Sequence, residues 1–295
     1  MDIRVMRYFL AIAQEENLTK AANLIHISQP SLSKQMKELE MELGKTLFIR
    51  GNRKITLTED GMYFRKRAQE IVDLTDKMLV DLEVQDYDLK GDIHIGCGET
   101  TGMKELIATM KKVHDEYPDI HFHIHSGNGL DIRESVEKGL YDFGLFVGKL
   151  DFSKMETYPL RYKNIWGLIC RKDDPLASLP YITKEQVCEL PLITSRQGMR
   201  EQILHDWLGK EKKDLNIVAT YNLFYNAGFM VEQKLGYALS IDGLQQSHED
   251  LVFIPFEPKL EAPLFLVWKK YQAFSKAAQK FLEAFKAGEA GEEGQ

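Results

Sequence analysis

Cysteine is scarce in this chain of 295 residues: Cys97, Cys170 and Cys188 are an odd number at unpatterned spacing, which argues against a disulfide framework. Reduced core residues are expected, with a thiol switch as the alternative. No apolar run approaches the length of a membrane span, and Met1-Asp2-Ile3-Arg4 leads into an amphipathic pattern with no signal-peptide core. A cytoplasmic chain without membrane contact is therefore expected. Also missing are a glycine-rich phosphate fingerprint, a nucleophile elbow and an H-E-x-x-H metal pair. Ser195 has no histidine in sequence context to activate it. No enzymatic activity and no cofactor are expected. The competing class is an enzyme carrying a nucleic-acid-binding domain, which turnover of a metabolite pool would reveal.

The net charge of −7 is unevenly spread. Residues 1 to 67 carry 12 Lys and Arg against 8 Asp and Glu, leaving 26 against 37 for the remainder. A basic head on an acidic body is steered head first towards a polyanion such as DNA. The length suggests two or three domains.

The head is the most informative part. Tyr8, Phe9, Ile12 and Ala13 recur at helical spacing, predicting a helix from about Arg4 to Glu16. Thr19 is placed to cap a short second helix reaching Ile25, with the small Ala21 and Ala22 admitting a crossing helix. Ser28 caps a third helix with Pro30 in its first turn, and Leu32, Met36, Leu39 and Leu43 share its buried face. Gln29, Ser31, Ser33, Lys34 and Lys37 remain outward, a mixture suited to base edges and phosphates in a major groove. A basic, β-prone hairpin, Phe48 to Thr58, follows.

From about Val5 to Gly61 the chain resembles the winged helix-turn-helix of the LysR-type transcriptional regulators. The resemblance rests on Tyr8-Phe9, Thr19-Lys20-Ala21-Ala22, Ser28-Gln29-Pro30-Ser31-Leu32-Ser33, Leu39-Glu40-Met41-Glu42-Leu43-Gly44, Leu47-Phe48, Arg50, Arg53 and Leu57-Thr58-Glu59-Asp60-Gly61. Asp60 departs from the small apolar residue usual there. The resemblance implies an α/β protein with an N-terminal all-α winged helix-turn-helix and a C-terminal two-lobed, periplasmic-binding-protein-like (type 2) effector domain. The expected DNA contacts are Thr19, Gln29, Pro30, Ser31, Ser33, Lys34 and Lys37, with Arg50, Arg53 and Lys54 from the wing.

The expected division is a DNA-binding domain over 1–58, a linker helix over 59–88 and an effector domain over 89–287. Within that domain, lobe I takes 89–160 and 269–287, lobe II takes 161–268, and a compositionally disordered tail fills 288–295. In the linker, Phe64, Ala68, Ile71, Thr75, Met78 and Leu82 step 4, 3, 4, 3, 4, a heptad seam for dimerisation. The alternative is a helix packed on its own domain. A dimer suits a near-palindromic double-stranded operator, and the resemblance adds a tetramer.

The remaining two thirds alternate strand-like and helix-like segments, as α/β domains do. The polar loops at strand ends are where such folds bind ligands. They supply Glu99, Thr100 and Thr101, then Ser126, Gly127 and Asn128, then Thr194, Ser195 and Arg196. These groups suit a small anionic or amino-acid-like effector, with Arg196 for a carboxylate and Glu99 for an amine. The resemblance maps effector contacts to the same loops. His121, His123 and His125 alternate along one strand face, with His94 on a neighbour. No cysteine or carboxylate has the spacing to complete a metal shell, so no metal site is expected there, and a lobe surface or subunit contact is the preferred reading.

Overall fold

The computed structural model describes residues 1–51, 54–83, 89–148, 152–196, 202–209 and 215–291. The chain divides into two compact units, Met1–Gln85 and Asp86–Gln295.

In the first unit, α1 (Ile3–Glu15) starts where the Asp2 carboxylate accepts from Arg4 N, and it buries Met6, Phe9, Ala11 and Ile12. The second helix, α2 (Leu18–Leu24), is capped by Asn17 and not by Thr19: Asn17 Oδ1 accepts from Thr19 N and Lys20 N. Asn outranks Thr as a cap, and the cap two residues earlier leaves the Thr19 side chain exposed. Ser28 caps α3 (Gln29–Leu43), which ends at Gly44 with a positive φ of 61°. Leu32, Met36 and Leu39 are buried against Phe9, Ile12, Ala21 and Ala22.

The wing pairs β1 (Phe48–Arg50) with β2 (Ile55–Leu57) in antiparallel register, Phe48 opposite Leu57. Glu40 holds its root, accepting from Leu47 N at 2.7 Å and Phe48 N at 3.1 Å. Gly61 is required here, because a Cβ on it would lie 2.1 Å from the Leu47 carbonyl oxygen. Asp60 sits in the first turn of α4 (Glu59–Glu83), where a carboxylate suits the helix dipole, and pairs with Lys45 at 3.2 Å.

The first half of α4 belongs to the head's own core. Ala68 and Val72 are buried with Met6, while Phe64 packs edge-on against Phe9 at 4.8 Å. A boundary at 58/59 would therefore cut through packed side chains.

The second unit is organised around one path of hydrogen-bonded strands that runs through both lobes. In lobe I, β3 (Gly91–Cys97), β4 (Ile120–Ser126) and β5 (Phe143–Val147) are parallel, and β12 (Glu261–Lys269) runs antiparallel to β5. Alternation sends Ile93, Ile95 and Leu145 to a core shared with α5 (Met103–Glu116) and α10 (Lys276–Gly291). The other face packs on α6 (Gly129–Lys138) through Ile132 and Val136.

The 17-residue strand β6 (Met155–Arg171) serves both lobes. Met155 to Ile165 pair with β12, and Trp166 to Ile169 pair with β10 (Tyr237–Ile241). Beyond β10 lie the parallel β8 (Leu192–Ser195) and β9 (Ile217–Tyr221). On the other edge of β6 lies β11 (Leu251–Glu257), which pairs with β7 (Ile182–Thr183). The helices of lobe II are α7 (Lys184–Cys188), α8 (Gln202–Leu208) and α9 (Phe224–Glu232).

The crossovers differ from expectation. Leu160 and Tyr162 still pack in the lobe I core and Trp166 begins that of lobe II, so the outward crossing lies near residue 164. The return lies near Ala262, since Leu264 and Leu266 are already in the lobe I core, and Leu264–Trp268 belongs to lobe I and not to lobe II. An apolar strand carries no mark of which sheet it joins. The last helix begins at Lys276, after a turn in which Tyr271 has a φ of 58°, and it continues through Gly291. Helix thus replaces the first four residues of the expected tail, and 292–295 lie outside the described residues. Among the described residues no helix is long and apolar enough to cross a membrane.

Candidate functional site

The head presents two surfaces. At the start of α3, Gln29, Pro30, Ser31, Lys34 and Lys37 are exposed, and Ser33 is half-buried. Lys34 is only loosely tied to Glu38, at 3.8 Å, and Lys37 has no ion pair among the described residues. Lys54 pairs with Glu16 at 2.6 Å, which fastens the wing to the end of α1. Arg53 and the side chain of Arg50 lie outside the described residues.

The second surface is the distal part of α4. Of the predicted seam, Phe64 and Ala68 face α1, whereas Ile71 and Met78 are 41% and 52% exposed and stand beside the exposed Leu74 and Leu79. Arg7 of α1 pairs with Asp76, fixing which side of α4 faces inward. The Leu82 side chain lies outside the described residues.

Between the lobes of the second unit lies a cavity of about 90 Å³. Lobe I contributes Gly98, Glu99, Gly127 and Asn128, and lobe II contributes Ser195, Asn222, Phe224 and Ser240. Apolar walls come from Ile132, Phe146, Trp166 and Ile241. These lining segments sit where β3, β4, β8, β9 and β10 end, as in other parallel α/β sheets. The carboxylate of Glu99 reaches across and accepts a hydrogen bond from Phe224 N, the first amide of α9. That amide has no partner within its own helix, and the dipole there favours negative charge. Asn128 spends its amide locally: Oδ1 accepts from Leu130 N and Asp131 N, and Nδ2 donates to Asp131.

The other predicted effector residues lie elsewhere. Thr100 is buried, donating to Asn164 Oδ1 at 2.5 Å and accepting from Gly102 N. The Thr101 hydroxyl bonds to that of Tyr162 at 2.7 Å. Both threonines thus belong to a junction in which Asp242, just beyond β10, accepts from Tyr162 Oη at 2.9 Å, Asn164 Nδ2 at 3.0 Å and Ile165 N at 2.7 Å. Burial pushes the Tyr162 hydroxyl above its ordinary pKa, with Asp242 acting in the same direction. Gly243 follows with a φ of +86°, and its missing Cβ is what lets Thr101 approach, since that atom would lie 2.2 Å from Thr101 Cγ2.

Ser126 ends the edge strand β4 and is exposed, with its hydroxyl against the Cys97 thiol, whose pKa burial raises. Thr194 is buried, and its hydroxyl has no partner among the described residues. Arg196 is exposed and outside the lining: alternation at the end of β8 directs Ser195 to the cavity and its neighbours away from it. Missed in the sequence were Asn222, Phe224 and Ser240. The rule that pointed to the loops after β3 and β4 applies equally after β9 and β10 and would have found them.

The histidines form a column on the α6 side of lobe I. His94 Nδ1 lies 3.0 Å from His125 Nε2, His94 stacks on His123 at 4.7 Å, and His125 stacks on Tyr141 at 4.4 Å. His123 Nε2 lies 3.1 Å from Asp92 Oδ1, and His121 is exposed. Among the described residues no group of three or more His, Cys, Asp or Glu is disposed to hold a metal ion. All three cysteines are free. Burial pushes the Cys170 thiol up to about 12, so it is not a thiolate near neutrality.

Two family models account for both units: "Bacterial regulatory helix-turn-helix protein, lysR family" matches residues 3–62, and "LysR substrate binding domain" matches residues 88–290. The chain belongs to the LysR family of transcriptional regulators. Among its relatives, the HTH-type transcriptional regulator BsdA of Bacillus subtilis is 26% identical over 97% of this chain and 100% of that protein. The HTH-type transcriptional activator IlvY of Salmonella typhimurium is 28% identical over 72% of each chain. A crystal structure of full-length CbnR with its target DNA shares the fold, with a TM-score of 0.75 at 18% identity over 97% of this chain and 99% of that one. As a LysR-type regulator the protein combines a DNA-binding helix-turn-helix with an effector-binding domain, and its family regulates transcription and does not consist of enzymes.

Proposed function

We propose that this LysR-type regulator works in the cytoplasm as a dimer, or a tetramer built from dimers, on a near-palindromic operator. Gln29, Pro30, Ser31, Ser33 and Lys34 meet base edges, and Thr19, Lys37, Arg50 and Arg53 hold phosphates. Lys54 serves mainly to brace the wing through Glu16. The exposed Ile71, Leu74 and Met78 of α4 meet the same face of a second copy. Two reading heads then address half-sites about 34 Å apart or a multiple of that.

A small molecule in the cavity sets the response. The observation that carries this reading is that the cavity takes its walls from both lobes, Glu99 and Asn128 on one side and Ser195, Phe224 and Ser240 on the other. A ligand touching both sides favours one lobe arrangement and shifts its population. Bound DNA then alters ligand affinity by the same factor.

The test is a footprint on an operator selected from random DNA, with and without a compound found by thermal shift. Wild type is expected to protect two half-sites and to change its footprint when the compound is added. Ser195→Trp, which fills the cavity, is expected to bind the same operator without responding. A full response in Ser195→Trp would overturn the cavity as the effector site.

A further inference from the structure

The cavity that the proposed function assigns to an effector also carries information about that effector's charge, and the following rests on that assignment. Among the described lining residues Glu99 is the sole carboxylate, and no Lys, Arg or His stands beside it. Its Oε2 is engaged by Phe224 N, while Oε1 has no partner among the described residues. A carboxylate oxygen accepts up to two hydrogen bonds, so one edge of this half-buried anion is left open to a ligand in a half-enclosed, largely apolar site. A second carboxylate entering here would meet a like charge and would find the α9 amide already taken. An ammonium would meet its complement.

A second, independent observation points to the other end of the ligand. Trp166 lines the cavity at 4% exposure, and its indole Nε1–H is buried with no acceptor among the described residues. A buried donor left unpaired is costly, and an indole nitrogen donates but does not accept. The missing partner is therefore an acceptor oxygen. The walls around both groups, Ile132, Phe146, Leu223 and Ile241, are apolar.

We propose that the cleft takes a small primary amine that also bears an acceptor oxygen and an apolar side group, an amino acid or an amino alcohol, its ammonium on Glu99 and its oxygen on the Trp166 indole N–H. Simple carboxylic acids are rejected by Glu99. Arg196, exposed and outside the lining, plays no part in gripping the ligand.

The experiment is calorimetry on the full-length protein with matched probes: leucine and phenylalanine, their reduced amino alcohols, their decarboxylated amines and their deaminated acids. Amino acid or amino alcohol is expected to bind at least about tenfold more tightly than the deaminated acid. Glu99→Gln should remove that preference, and Trp166→Phe should weaken the oxygen-bearing amines without affecting the simple ones. Unliganded melting of each variant establishes that it is folded. If the acids bind best, Glu99→Gln tightens them and Trp166→Phe weakens them, the charge inference is wrong while the cleft remains the effector site. If amines bind but neither variant changes their affinity, both the inference and the cleft reading fail. If no probe binds at millimolar concentration, this ligand class is excluded.

Discussion

Asn164 donates its side-chain amide to Asp242 Oδ1 at 3.0 Å, tying the midpoint of the strand that links the lobes to the end of β10. Asp242 also takes the amide of Ile165 and the hydroxyl of Tyr162, so three donors depend on one carboxylate. Replacing it leaves Ile165 N without its acceptor and Asn164 Nδ2 and Tyr162 Oη with only the Thr101 hydroxyl to turn to, in a part-buried site. Asp242→Ala is expected to destabilise the second unit by about 2 to 4 kcal/mol, and Thr100→Ala, which loses two weaker bonds, by about 1 to 2 kcal/mol. Urea unfolding of the full chain measures both. A midpoint unchanged in Asp242→Ala would show that this junction does not hold the lobes.

On DNA, Gln29→Ala is expected to cost about 1 to 3 kcal/mol on the preferred operator and to relax preference at one base pair. Lys37→Ala should instead weaken all sequences alike and lower the salt slope by about one. Fluorescence anisotropy over a salt series, on operator and on scrambled DNA, separates the two. If Lys37→Ala proves sequence-selective, α3 is not docked as proposed.

The two halves of α4 should respond differently to charge. Ile71→Glu and Met78→Glu, on the exposed face, are expected to break self-association while leaving the head folded. Ala68→Glu, at 1% exposure beside Met6, is expected to unfold the head itself. Sedimentation velocity with circular dichroism reads both effects. A double Ile71→Glu, Met78→Glu variant that still sediments as the wild-type oligomer would place the principal contact elsewhere.

The pKa of His125 is held below its ordinary value of 6.5, first by burial and then by the charge of His123. The folded chain therefore resists protonating it, and the unfolded chain does not. The stability this gives is present above about pH 6.5 and is lost as pH falls below that value towards the folded pKa. Melting temperature from pH 8 to pH 5.5 should fall less in His125→Asn than in wild type. Parallel curves for the two proteins would sink the assignment.

Much of the fold was legible because its elements obey simple periods. Ser28, Pro30 and the Leu32, Met36, Leu39 stripe define α3 by local rules alone, and β3, β4 and β5 alternate or run apolar as strands do. The cavity was half legible. The loops after β3 and β4 announce themselves by Gly, Ser, Thr and Asn, whereas Trp166, within β6, looks like an ordinary core residue until the fold brings it to the cleft. Thr100 illustrates the converse, a loop hydroxyl of ligand-binding type whose partner, Asn164, is 64 residues away. Nothing local distinguishes a threonine that will meet a ligand from one that will meet a distant asparagine. The seam of α4 was read correctly as apolar, but its two possible partners, α1 and a second copy, make the same demand on sequence. Arg7 and Asp76, 69 residues apart, decide where the division falls.

The continuity of β6 has a genetic consequence. Tyr158, Leu160 and Tyr162 face the core of lobe I, and Trp166, Leu168 and Cys170 continue the same even-numbered row into the core of lobe II. The pairing with β12 shifts register opposite residues 160–162, but from Lys163 onward the row has no irregularity to absorb a change of length. Loss of a single codon between 163 and 165 would turn the lobe II half of the strand over, presenting Ile169 and Gly167 where Leu168 and Trp166 belong. Substitutions there act on one lobe at a time, whereas an in-frame deletion damages the agreement between the two.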